Sequence, residues 1–120
     1  MNSKAIGIKA EQEAKEFLLN RGLTFIANNY NCKAGEIDLI MRDKTTYVFV
    51  EVRYRKKSKH GSGLESVTKS KQQKIIRAAK YYLLENQLFD KILCRFDVIS
   101  SSDEDEEKLL WTKDAFWEGK

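Results

Sequence analysis

The segment Thr46-Tyr47-Val48-Phe49-Val50-Glu51-Val52-Arg53 constrains the fold more than any other part of this chain. It is β-branched or aromatic almost throughout, yet it carries a carboxylate near its end. Such a run predicts a strand covered on both faces. Side chains alternate along a strand, so Glu51 and Arg53 point one way while Val50 and Val52 point the other. Burying a carboxylate is costly unless a positive group meets it. Glu51 therefore sits in a solvated cleft or is paired.

The preceding segment, Glu36-Ile37-Asp38-Leu39-Ile40-Met41, alternates as a second strand and closes in the polar turn Arg42-Asp43-Lys44. If the two strands are neighbours, Asp38 approaches Glu51. Two close carboxylates repel, and a divalent cation relieves the repulsion. Magnesium, or manganese in its place, suits such a pair, because it takes one or two carboxylates and completes its shell with water and phosphate oxygens. The alternative is that Asp38 and Glu51 form structural ion pairs with Lys33, Arg53 or Arg55.

Upstream, Lys4 to Arg21 reads as a helix stopped by Gly22, and Leu23 to Cys32 as a strand followed by the turn Lys33-Ala34-Gly35. Gly7, Glu11, Ala14 and Leu18 share a helical stripe. An acid there either joins the metal site or edges the stripe and reaches water. Downstream, Tyr54 to Gly63 reads as a charged, glycine-bearing loop, and Thr68 to Asn86 as a helix whose apolar face is Ile75, Ile76, Ala79, Tyr82 and Leu83. Ile92 to Ile99 and Lys108 to Thr112 read as two further strands around a polar loop, Ser100 to Glu107, with the tail Asp114 to Trp117 docked on the core. Helix, three strands, helix and two strands over residues 1–120 predict one α/β domain.

Charge adds a partner class. Five of the 18 acidic residues lie in Asp103–Glu107, which leaves 13 against 22 basic ones, so the body of the chain is strongly basic. That surplus favours a polyanion such as nucleic acid, although basic surfaces also arise as solvated faces. Arg55, Lys56, Lys57 and Lys59, with Tyr54 to stack on a base, follow directly on the acidic strand. Lys71, Gln72 and Lys74 open the second helix, where the dipole also favours anions. Both segments read equally as solvated faces. No apolar run is long enough to span a bilayer, which excludes a membrane helix and predicts a cytoplasmic protein. Cys32 and Cys94 lack the co-ligands of a zinc site and read as buried, reduced thiols. A homodimer stays open.

These residues also carry a resemblance. Gly35-Glu36-Ile37-Asp38-Leu39-Ile40 followed by Val48-Phe49-Val50-Glu51-Val52-Arg53 resembles the Asp…Glu-x-Lys core of the PD-(D/E)XK nucleases. More narrowly, the chain resembles the small bacterial YraN-like family, whose members are similar to archaeal Holliday-junction resolvases. Gly7, Ala10, Glu11 and Ala14, then Lys71 with Ala78-Ala79, then Arg95 to Ile99 with Asp114 to Phe116, extend the similarity over nearly the whole chain. The resemblance implies a restriction-endonuclease-like core, a central mixed sheet of about five strands flanked by helices. It further implies a magnesium site with Glu11, Asp38 and Glu51 at the acidic positions and Arg53 at the remaining catalytic one.

Arg53 departs from that pattern, which has lysine. A guanidinium grips phosphate through two parallel hydrogen bonds but does not give up its proton at ordinary pH. Three functions are compatible with these residues: an endonuclease for branched or structured DNA, a nucleic-acid-binding module that keeps the nuclease fold without turnover, and a protein-interaction adaptor using the acidic tract and aromatic tail.

Overall fold

The computed structural model describes residues 3–55, 67–102 and 109–118. Helix α1 (Ser3–Asn20) is followed by β1 (Thr24–Cys32), β2 (Gly35–Asp43) and β3 (Thr46–Arg55), then α2 (Lys69–Glu85), β4 (Cys94–Ser102) and β5 (Leu109–Phe116). The five strands form one sheet in sequence order. β1, β2 and β3 are an antiparallel meander, β3 and β4 are parallel, and β4 and β5 are antiparallel. A parallel neighbour needs a crossover, and α2 provides it. This is the predicted α/β architecture, a mixed five-stranded sheet with two helices, compatible with a restriction-endonuclease-like core.

Alternation along the strands divides the core in two. Phe49, Ile40, Phe96, Val98 and Phe116 pack with Ile75, Ile76, Ala78, Ala79 and Leu83 of α2. Leu39, Met41, Val48, Val50 and Ile99 pack with Ala14 and Leu18 of α1. Val48, Phe49 and Val50 are fully buried, so β3 is covered on both sides as its composition requires. Thr68 caps α2, its hydroxyl accepting the Lys71 N–H at 3.2 Å.

Strict alternation fails around Asp38. Ile37 belongs to the α2 cluster and Leu39, two residues on, to the α1 cluster. The β2–β3 register correspondingly runs from Asp43↔Thr46 only as far as Leu39↔Val50. Beyond it, the Val52 N–H is taken by the Asp38 side chain instead of by a backbone carbonyl. The loss of ladder pairing is what makes room for carboxylates between two central strands.

Four expectations need correction. Ser100 to Ser102 are strand, not loop. β5 runs through Phe116, so Asp114 to Phe116 are paired strand rather than a docked tail, with Phe96 opposite Phe116. The cause is Asp97, fully buried in β4, whose carboxylate accepts the Asp114 N–H at 2.9 Å, the Trp111 indole N–H at 2.9 Å and Arg95 Nε at 3.0 Å. It holds the two strands together across an irregularity in their register. β4 begins at Cys94 rather than Ile92. Cys32 and Cys94 are free thiols, but Cys94 is exposed and Cys32 half-buried, because they lie at strand ends, Cys32 packing against the edge of the core. Among the described residues, no helix is long and apolar enough to cross a membrane.

Candidate metal and phosphate site

The site forms where β2 and β3 stop pairing. Asp38 Oδ2 accepts the Val52 N–H at 2.8 Å, and the Glu51 carboxylate lies within electrostatic reach of the Asp38 carboxyl. Burial, then the Glu51 charge, push the Asp38 carboxyl well above the usual carboxylate range; the Glu11 charge adds to this and the Val52 N–H opposes it. The pair thus holds a proton at a pH where an exposed aspartate has lost its own.

Glu51 is 4% exposed, and two cations meet it at the same oxygen. Arg53 Nη1 lies 3.2 Å and Lys71 Nζ 3.1 Å from Oε2. Arg53 arrives from two residues along the strand, as alternation predicts. Lys71 arrives from α2, whose first turn stands over this end of β3. Glu51 thus meets one cation from its own strand and one from the crossover helix.

Glu11, on α1, is half-buried, and its carboxyl is also raised, first by burial and then by the charges of Glu36 and Glu51, against a hydrogen bond from Asn29. It lies within electrostatic reach of the pair. Among the described residues, no three His, Cys, Asp or Glu side chains come together as a metal cage. The donor set is therefore a carboxylate pair with a third acid standing back. Hard oxygen donors whose negative charges oppose one another fit magnesium or manganese, which need only one or two protein carboxylates. Asp38 and Glu51 would hold the ion directly.

The predicted nucleic-acid contacts divide. Arg53 and Lys71 converge on Glu51. Gln72 spends an amide N–H on the Val67 carbonyl at 3.0 Å, fixing the entry to α2. Lys74 is exposed and packs its stem near Gly35, at the β1–β2 turn. Tyr54 is half-buried in β3, and the backbone of Arg55 closes that strand. Lys56, Lys57, Lys59 and His60 lie outside the described residues, as does the acidic tract 103–107. Lys71 as the direct partner of Glu51 was not legible from spacing alone, because the contact depends on where a crossover helix lands. Asp97 could have been noticed as an acid on an apolar strand two residues from Arg95.

The uncharacterised protein family UPF0102 matches residues 10–100. The chain belongs to that family. A UPF0102 protein of Psychromonas ingrahamii is 49% identical over 98% of this chain and 92% of its own length. One of Saccharophagus degradans is 47% identical over 92% of this chain and 91% of its own. The UPF0102 protein YraN of Escherichia coli is 45% identical over 97% and 87%. The segment matched by the UPF0102 model contains Glu11, Asp38, Glu51, Arg53 and Lys71, and stops before β5.

Proposed function

We propose that this chain is a cytoplasmic nucleic-acid-binding protein that hydrolyses phosphodiester bonds in branched or otherwise structured DNA, using magnesium or manganese held by Asp38 and Glu51. The observation that carries this reading is the break in β2–β3 pairing at Asp38, where its carboxylate takes the Val52 N–H beside buried Glu51, with two cations on Glu51. A bound divalent ion supplies a Lewis acid for the phosphate and an activated water. The chain's own residues supply the rest. Arg53 grips a non-bridging phosphate oxygen and stabilises charge that builds up there. Lys71, on a flexible stem, brings the ammonium that position 53 lacks and swings between Glu51 and the phosphate. Glu11 orients water at the rim.

Purified protein incubated with duplex, single-stranded, flap and four-way DNA in magnesium or manganese tests this directly. Cleavage is expected on a structured substrate and is lost in Asp38→Asn/Glu51→Gln. Cleavage no greater than that of the double variant on every substrate overturns the reading.

One observation favours binding without turnover: Arg53 and Lys71 both neutralise the same Glu51 oxygen. On that second reading manganese titrated into the protein gives no saturable heat, while DNA binding persists with a negative dependence of log affinity on log salt. The chain acts as a monomer or a homodimer in either case.

A further inference from the structure

Lys71 faces Glu51, but the other cations of α2 do not. Lys69, Arg77 and Lys80 line a separate groove of about 420 Å³ along the flank of the helix, together with Gln72, Gln73 and Trp117. Its floor is Ile76, and Glu118 sits at the far end, ion-paired to Lys80. Trp117, directly after β5, is 50% exposed there.

Lys71 and Lys80 are matched by Glu51 and Glu118 from outside the helix, but α2 itself supplies no such balance. Lys69, Lys71, Lys74, Arg77 and Lys80 follow one another at spacings of two and three, and the helix has no acid before its final residue, Glu85. Like charges three residues apart repel, and cations in the first turn oppose the helix dipole. Such an arrangement lowers the stability of the helix by itself. A polyanion lying along it reverses the sign of both effects.

The indole narrows the class of polyanion. A flat aromatic face at the end of a basic track is a stacking platform, and a base can reach it only when unpaired, because bases inside a duplex are already stacked on one another. From Lys69 to Lys80 the track runs roughly 16 Å along the helix. It begins in the same helical turn as Lys71, whose ammonium meets Glu51. We infer that the α2 groove, Lys69 to Trp117, binds a single-stranded nucleic-acid segment next to the candidate site. The inference rests on the nucleic-acid-binding part of the function proposed above, but not on cleavage.

The test is fluorescence anisotropy of labelled oligo-dT and of a duplex of equal length with the full chain, in EDTA so that cleavage plays no part. Trp117→Ala is expected to weaken oligo-dT binding by at least ~10-fold and duplex binding by less than ~2-fold. Lys69→Glu/Arg77→Glu, on an exposed helix face, weakens oligo-dT binding by at least ~10-fold and flattens its salt dependence. Wild-type affinity in either groove variant, equal weakening of duplex and single strand by Trp117→Ala, or no oligo-dT binding at all overturns the inference. Loss of cleavage with an intact groove result refutes the nuclease reading alone. Thermal melts of each variant show whether the fold is retained, and the charge reversals decide the matter if Trp117→Ala does not fold.

Discussion

The ammonium nitrogen of Lys71 lies 3.1 Å from Oε2 of Glu51, joining the first turn of α2 to the buried carboxylate of β3. One face of this contact is structural, since an unmatched buried carboxylate is costly. The other belongs to the proposed function, in which the same carboxylate would hold the divalent ion.

The two roles separate in Lys71→Met. Its side chain is 42% exposed and Arg53 remains on Glu51, so the loss of fold stability is small, about 1 kcal/mol or less, measured by urea unfolding. Cleavage of the preferred substrate falls by at least ~100-fold. Manganese affinity rises, because a competing cation has gone. An unchanged manganese affinity and cleavage rate would remove Lys71 from the site.

Asp38 sets a pH dependence. Its carboxyl is raised from 3.8 to about 8, so the folded chain binds a proton that the unfolded chain has released over that window. Stability from this group is complete below 3.8 and is lost as pH rises toward about 8. Asp38→Asn removes the slope, giving a Tm above that of the natural chain at pH 8 and little different at pH 4. Metal binding displaces the proton, so apparent manganese affinity climbs by about tenfold per pH unit below the Asp38 titration. A flat calorimetric profile from pH 5 to 7 contradicts this.

Asp97 is a different kind of buried acid. It is fully enclosed and satisfied by Arg95, Trp111 and the Asp114 N–H, with Arg95 also bridging to Asp43 at 3.1 Å. Asp97→Ala leaves Arg95 with Asp43 alone and strands the Trp111 indole N–H and the Asp114 N–H, and is expected to cost about 3–5 kcal/mol. At a temperature where the variant is still folded, its manganese affinity matches that of the natural chain, since Asp97 takes no part in the carboxylate pair.

Gly22 ends α1 at φ +95°, its N–H donating to Leu19 O at 3.1 Å and that of Leu23 to Leu18 O at 3.2 Å. This left-handed turn lets Leu23 fold back into the core beneath α1. Gly22→Ala is expected to cost about 1 kcal/mol, read as a shift of the urea midpoint with an unchanged slope.

The local elements were written in the residues. The β-branched and aromatic run from Thr46 announced the central strand, Thr68 and Gly22 marked helix ends, and alternation put Arg53 beside Glu51. What spacing missed were features fixed by contacts between distant segments. β5 extends to Phe116 because Asp97 captures the Asp114 N–H across the sheet, which nothing between Lys108 and Trp117 announces.

The same division runs through the site. The sequence by itself determined which side chains are available, a carboxylate on each of two successive strands and a basic helix beyond them, because period-two alternation and short turns act over a few residues. Only the tertiary structure decided that β2 and β3 stop pairing at Asp38, that Val52 donates to its carboxylate, and that Lys71 closes on Glu51 from the crossover helix. Those outcomes depend on how two helices pack against opposite faces of one sheet, and packing is set by the whole chain at once.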